Sequence, residues 1–585
     1  MPDSGLVRSD EFDQSRRRLG AWLRAHMEEV RSLADREVEP YREWKGVVAG
    51  WEVQSADSGR RYLVLIDGAF PFSKVQIACV SEGDRYLQWP HVEEHGFLCL
   101  PAPKWLPCEK LGVSAQDSLQ RAEQLISCCQ SEDFVRTESQ KEFVSYWARH
   151  SGTAVRSLID VAGNRAARIV CARKTGGGIV VGESSEQLDA WCEKNERFQG
   201  GIAVQAVFAF VEDAPFLPFP QNSRQFFDRF IEASPEINNC LAKLSPFRDT
   251  LIVLASSAQD GIGLWGCYLR AVPLDGFRPT RDARANKAIW RRNCLYMPGF
   301  VARVDGSWVH GRDGDRHYPQ ISQKHVVVLG AGSLGSQVAA RLAQAGVGRI
   351  SIVDPQVLAA CNVGRHELGM GSLDKNKAEE LARLLSEKYP HGDYSGVPAT
   401  WQAVLRETPE LFEGADLVVC CMGETPQDLA WSAHHQSGKL GVPSLYGWLG
   451  TQGATGHALL IAPSGPGLSC FIDPGGYVRR PDTEFSGGDQ LQAEPGCGTE
   501  FQPYGPLAAG EVEVLVSRLA IDFLSGKVGA SAHRIRTCST EELSELGGEW
   551  TKEHGMQRPE GYEGPLQYEL PVTSCGECYK CTDGK

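Results

Sequence analysis

The stretch HVVVLGAGSLGSQVAARLAQAGVGRISIVD, residues 325–354, limits the possible folds more than any other part of the chain. Its apolar opening, VVVL, has the run expected of a strand buried on both faces. Gly330, Gly332 and Gly335 follow in G-x-G-x-x-G spacing and lead into an Ala/Leu-rich helix, after which a second apolar run ends at Asp354. This is the pattern of a βαβ nucleotide-binding unit in a parallel sheet. The glycines let the backbone approach a phosphate, and the helix beginning near Ser333 offers it unpaired N–H groups. Asp354, at the tip of the second strand, is placed to accept from ribose hydroxyls. The spacing alone suits an NAD-dependent dehydrogenase equally well.

The rest of the chain excludes several classes. At 585 residues it is too long for one core and predicts three or four domains. A net charge of -14, without a dense Lys/Arg block, argues against direct nucleic-acid binding. The N-terminal MPDSGLVRSDEFDQSRRRLG lacks the apolar core of a signal peptide, and no run is long enough to span a bilayer. The expectation is a cytoplasmic protein with no membrane partner. In that reducing compartment the 19 cysteines read as packing residues, metal ligands or nucleophiles rather than disulfides. Cys99, Cys497 and the triplet Cys575, Cys578, Cys581 have surroundings that ask for more than packing.

Along the chain, Leu19, Trp22, Leu23, His26, Met27, Val30 and Leu33 predict one helix over residues 15–38. WKGVVAGWEVQ, RRYLVLIDGAF and KVQIACV predict a three-strand meander before the Cys99 loop WPHVEEHGFLCL. Ser114, with Asp117 three residues on, marks a helix start, and a further helix carries Phe134, Phe143 and Trp147. Residues 1–150 thus read as an α+β domain and residues 151–300 as an intervening α/β domain without visible chemistry, its KTGGG a turn. Residues 301–535 hold the nucleotide-binding unit and a long Gly/Pro-rich connection, and residues 536–585 form a cysteine-containing tail.

The residues after Asp354, in IVDPQVLAACNVGRHELG, resemble the adenylating E1 and ThiF/MoeB family, whose second strand runs on into an Asn-x-x-Arg element. Asn362 and Arg365 fall at that spacing, and Lys377 stands where the family keeps its phosphate-contacting lysine. The resemblance implies ATP and Mg²⁺, with Arg365 and Lys377 offsetting triphosphate charge while a carboxylate attacks the α-phosphorus. The family's metal-binding acid ends the third strand. In CCMGET that role goes to Glu424, one position later, and Gln356 replaces a second acid.

The opening domain resembles a ubiquitin-conjugating E2 around its catalytic cysteine. Pro90, Gly96, Cys99 and Leu100 match in register, while Trp89 stands in place of the family's His and His91 in place of its Asn. That makes Cys99 an E2-type nucleophile. Cys497, in EPGCGTEFQPYGPLAAGEVEVLV, resembles the cysteine of an E1 crossover loop, with Cys538 and Cys470 as weaker alternatives. Cys575, Cys578 and Cys581 have zinc-like spacing without an obvious fourth ligand, and a reduced flexible tail is the competing reading.

Together these features resemble the bacterial E2–E1 fusions of type II CBASS anti-phage operons, CD-NTase-associated ubiquitin-transferase-like proteins. The resemblance implies three domains: an E2 (UBC-like) α+β domain, an intervening α/β domain and a Rossmann-like E1/ThiF domain. It implies activation of a protein C-terminus, passage through Cys497 and then Cys99, and ligation to a target amine. The implied partner is the operon's CD-NTase, and the implied assembly is a homodimer through the E1 domain. A sulfur-carrier-activating enzyme of ThiF/MoeB type, and a scaffold of inactive E1 and E2 folds, are the rival readings.

Overall fold

The computed structural model describes residues 10–272, 283–312, 317–486, 491–493, 500–555, 557–578 and 581. Its contacts divide into two units. One comprises residues up to Leu188 and Gly200–Arg303; the other comprises Asp189–Gln199 and the chain from Val304 onward.

In the first unit, α1 (Asp10–His26) is followed by β1 (Glu28–Ser32) and α2 (Asp35–Lys45). The single helix expected over residues 15–38 is therefore two helices around an edge strand. Leu19 and Leu23 do face the core, but Val30 lies on that strand. Strands β2 (Val47–Gln54), β3 (Arg61–Asp67) and β4 (Gln76–Cys79) complete an antiparallel sheet of order β1-β2-β3-β4. Helix α3 (Pro107–Cys128) begins at a proline in its first turn and is kinked at Lys110, so Ser114 is buried inside it rather than capping it. Its apolar face, with Ala115, Leu119, Ala122 and Ile126, packs with Leu23, Val64 and Ile77.

Helices α4 (Glu132–Lys141) and α5 (Phe143–His150) follow, and their apolar residues serve a different core. Phe143, Tyr146 and Trp147 are buried with Val207, Ile252 and Trp265 of the following domain, and Trp147 Nε1 donates to Gly299 O at 2.9 Å. That intervening domain is a closed seven-stranded barrel of order β10-β11-β5-β7-β6-β8-β9 with helices against it. Its strands are β5 (Thr153–Ser157), β6 (Arg168–Thr175), β7 (Gly178–Gly182), β8 (Ile202–Phe210), β9 (Thr250–Ala258), β10 (Gly261–Ala271) and β11 (Cys294–Arg303). KTGGG is the turn between β6 and β7.

The second unit is built on an eight-stranded sheet. Strands β12 (His325–Leu329), β13 (Arg349–Val353), β14 (Asp393–Val397), β15 (Leu417–Cys420) and β16 (Ser444–Leu449) run parallel in the order β14-β13-β12-β15-β16. Beyond them β17 (Thr455–Ile461) and the strands Ala532–Thr537 and Leu566–Leu570 pair antiparallel. The helices Ser333–Ala345 and Pro506–Leu524 pack together over one core, where Val338, Leu342, Val512, Val516 and Leu519 are fully buried. No described helix is long and apolar enough to cross a membrane.

Candidate functional sites

The nucleotide-type cleft opens where β12, β13 and β15 end, as a doubly wound sheet dictates. Gly330, Gly332, Asp354, Gln356 and Glu424 line it. Gly330 has φ +87°, and a Cβ there would lie 2.7 Å from Cys421 O. At Gly335 a Cβ would come within 1.9 Å of Gly330 O, so this glycine sets how closely the helix meets the turn. A Cβ at Gly332 would meet nothing among the described residues within 4 Å, so the turn is open to the cleft there. Asp354 is buried and its two carboxylate oxygens accept from Ala331 N and Gln356 N, both at 2.7 Å. It therefore shapes the glycine turn itself, a job the ribose-binding expectation did not include.

Arg365 ends the 3₁₀ turn Ala360–Arg365, and its carbonyl accepts from Ser333 Oγ at 3.1 Å and Gln337 Nε2 at 2.8 Å. Its backbone is thus fastened to the first turns of the phosphate-facing helix, and its guanidinium lies over the Tyr504 ring, 4.5 Å from the centroid. Asn362 caps its own turn, accepting from Ala359 N at 3.2 Å. Lys377 opens the helix Lys377–Lys388, is buried, and donates to Gln356 Oε1 at 2.8 Å. Where a carboxylate would neutralise this lysine, an amide leaves its charge available to the cleft.

Glu424 is exposed at the N-cap of the helix Thr425–His435. One turn later lies Asp428, which the sequence reading missed. Its Oδ1 is buried without a hydrogen-bond partner, and burial together with Glu424 pushes its carboxyl up to about 7. The i, i+4 spacing of two acids at the start of this helix was the available signal. Glu424 lines the cleft and is the hard oxygen donor it offers a divalent cation such as Mg²⁺, with the buried Asp428 Oδ1 behind it.

The second candidate site is the loop carrying Cys99. Leu98 and Leu100 are buried while Cys99 between them is exposed. The backbone is pinned on both sides: Leu98 N donates to Ile77 O at 2.8 Å and Cys99 N to His91 O at 2.9 Å. Gly96 has φ +72°, and a Cβ there would come 2.2 Å from Cys79 O, so no other residue fits without moving the loop. Buried Glu93 anchors the loop further, with Lys45 at 2.8 Å and Arg149 at 3.0 Å.

Beside Cys99 sits His91, itself at φ +58°. Its Nε2 is 3.4 Å from Glu138 Oε1 and its Nδ1 is 3.7 Å from Glu142 Oε2. Tyr146 Oη accepts from His91 N at 3.0 Å and donates to Glu142 at 3.1 Å. The neighbouring Cys99 side chain has the largest influence, raising the imidazole's pKa above its ordinary value against the effect of burial, and Glu142 and Glu138 add to the rise.

The third cluster is four thiols. Cys470, Cys575, Cys578 and Cys581 have their sulfurs all within 4.8 Å of one another. Cys470 lies 3.7 Å from both Cys578 and Cys581, and Cys578 is 3.6 Å from Cys581. Four sulfurs at Zn–S bonds of about 2.3 Å around a tetrahedral ion sit about 3.8 Å apart, so the set fits a structural Zn²⁺. Cys470 is the fourth thiol that the C-x-x-C-x-x-C spacing left unnamed, and it is buried within this cluster. Cys538 is also unsuited to that role, since it is fully buried and burial pushes its thiol up to about 11. Cys497, the preferred crossover residue, lies outside the described residues.

Comparison with known proteins agrees with the two halves of this description. Residues 310–535 match the ThiF family and residues 42–155 match Prokaryotic E2 family B. One polypeptide thus carries an E2-like region followed by a ThiF-like, E1-like region. It is 32% identical over 124 residues to the ATP-dependent ubiquitin transferase-like protein Cap2 of Pseudomonas aeruginosa, covering 19% of this chain and 22% of that one. The Cap2 of Enterobacter hormaechei is 31% identical over 152 residues, 26% of this chain and 25% of that one. The matched stretches thus span about a quarter or less of these relatives. Among solved structures, E. coli MccB is similar over 45% of this chain and 67% of its own, at 16% identity and a TM-score of 0.31.

Proposed function

We propose that this protein uses ATP to activate the C-terminus of a partner protein and ligates it to a target amine through two successive thioesters. The observation carrying the reading is the pairing, on one chain, of a bare glycine turn flanked by Arg365 and Lys377 with an exposed cysteine in an E2-type loop.

ATP lies with its phosphates at the Gly330–Ser333 turn. The donor carboxylate attacks the α-phosphorus, giving an acyl-adenylate and releasing pyrophosphate. Arg365 and Lys377 offset the charge that develops; Glu424, with Asp428 behind it, would hold Mg²⁺, which would supply further positive charge there. Cys497 then takes the acyl group, because a thiol on a Gly/Pro-rich connection in the adenylating domain can reach the adenylate and afterwards present its thioester. Cys99 receives it next and delivers it to the amine. Cys470, Cys575, Cys578 and Cys581 would hold Zn²⁺, which would tie these three late cysteines to Cys470. The resemblance to CBASS fusions supports the C-terminus of the operon's CD-NTase as the donor, with its ligation as a priming event in anti-phage defence. A second copy paired through the E1-like domain is the expected assembly. A sulfur-carrier-activating role would leave the E2-type loop around Cys99 without purpose.

Mass mapping of reductant-sensitive adducts tests the order. With donor and ATP, Cys99→Ala should retain one adduct, at Cys497, and Cys497→Ala should adenylate the donor yet leave Cys99 bare. Normal charging of Cys99 in Cys497→Ala would remove the crossover assignment.

A further inference from the structure

The loop resemblance accounts for Cys99 but not for what surrounds it. His91 occupies the position of the E2 family's asparagine, and three side chains from outside the loop converge on it. Glu138 comes from α4, and Glu142 and Tyr146 come from the junction with α5 and from α5 itself. These helices are buried against the barrel, not against the E2 sheet. The groups facing the imidazole are thus Cys99 on its own loop and Glu138, Glu142 and Tyr146 from the neighbouring helices. Lys141, at 2.7 Å from Glu138, holds that carboxylate in place. Burial would raise Glu138, but Lys141 and His91 outweigh it and keep the carboxyl below its ordinary value, so it stays an anion beside the ring.

A nucleophile whose backbone N–H bonds the His91 carbonyl at 2.9 Å, a neighbouring imidazole and acids beside that imidazole are the parts used for acyl transfer through a covalent intermediate. We infer that His91 is the general base that discharges acyl-Cys99, with Glu138 and Glu142 positioning it, so that this E2-like centre carries its own proton acceptor. The inference rests on the reading of Cys99 as an acyl carrier.

In the step, the amine nitrogen attacks the thioester carbon and forms the C–N bond. His91 takes the proton that the nitrogen sheds. The tetrahedral oxyanion collapses, the C–S bond breaks, and the electron pair leaves on the Cys99 sulfur as thiolate. The result is an amide and an imidazolium beside a thiolate, a pair the nearby carboxylates help to hold. Cys99 is exposed and His91 only partly buried, so an amine can approach both.

The test bypasses adenylation. The full chain, without ATP or donor, is treated with p-nitrophenyl acetate, and acetyl-Cys99 is located and quantified by mass mapping. Its discharge to trifluoroethylamine, which is uncharged across neutral and mildly alkaline pH, is followed against pH. In the unaltered protein, discharge should rise with pH through the His91 titration and then level off. His91→Asn, which keeps a residue that tolerates the left-handed backbone, should slow the plateau by about a hundredfold and abolish the inflection. Glu138→Gln, on an outward helix position, should move the inflection to lower pH, because removing a carboxylate lowers the pKa of the imidazole. A purely structural role for Glu138 would reduce the rate without moving it. An unchanged pH profile in His91→Asn, or an inflection that stays in place in Glu138→Gln, overturns the inference, as does failure of Cys99 to accept acetyl. Normal discharge of acetyl with no ATP-driven charging would instead strike the adenylation reading and leave His91 standing.

Discussion

The guanidinium of Arg365 lies 4.5 Å from the ring centroid of Tyr504, 139 residues away in the chain, and reaches Tyr504 O at 3.4 Å. Tyr504 belongs to the segment between Cys497 and the helix Pro506–Leu524. The residue assigned to the phosphates is therefore in contact with the connection that carries the proposed first thiol.

Arg365→Ala and Lys377→Ala should each lower donor-dependent ATP–pyrophosphate exchange by at least about a hundredfold, since both remove charge that opposes the developing phosphate charge. Tyr504→Ala should lower it only about two- to fivefold, the roughly 0.5–1 kcal/mol of one cation–π contact between half-buried side chains. Exchange that survives the first two changes would move the adenylation site elsewhere.

Asp428 gives a pH signature. Its folded-state pKa of about 7 lies above the value of an exposed carboxyl, so its ionisation opposes folding. That destabilisation is absent below about pH 4 and grows as pH rises to about 7. Asp428→Asn should therefore raise the thermal midpoint at pH 8 without Mg²⁺ and leave it nearly unchanged at pH 4. It should also weaken the Mg²⁺ dependence of exchange. Equal midpoint shifts at both pH values would count against a buried, ionising acid.

The cysteine cluster predicts one zinc per chain by elemental analysis. Cys470→Ser should lose most of it, as should Cys578→Ser, while Cys538→Ser should keep the full amount. Retention of zinc in Cys470→Ser would return the tail to a three-thiol site.

Gly96→Ala should destabilise the E2-like domain by about 1–3 kcal/mol, because the new Cβ meets Cys79 O at 2.2 Å in a left-handed backbone. Differential scanning fluorimetry would measure this, and alkylation of Cys99 would report whether the loop has shifted.

Local pattern accounts for what could be read without coordinates. The strand–glycine–helix unit from His325 to Val353 was legible because parallel strands are continuous apolar runs and glycine turns have fixed spacing. Cys99 was legible because Pro90, Gly96, Cys99 and Leu100 stand in the register of an E2 cysteine loop. The fourth thiol was not, since Cys470 lies 105 residues before Cys575 and only the tertiary fold brings them together. Asp428 was read past because a helical acid ordinarily faces water. The helix expected over residues 15–38 failed for a different reason. Val30 and Leu33 continue a helical spacing, yet Glu28–Ser32 gains more by pairing with β2 than by extending the helix.

The sharing of α4 and α5 between the cysteine loop and the barrel sets how this protein can be taken apart. A cut after Gln130 would strip Cys99 of both neighbouring acids, and a cut after His150 would leave Phe143 and Trp147 facing water. A transplantable conjugating module must therefore run at least to Arg303, where the barrel closes. What resembles a spacer between two enzymes is structurally part of the first of them, and a border drawn at His150 would uncover the apolar face that α5 buries against the barrel.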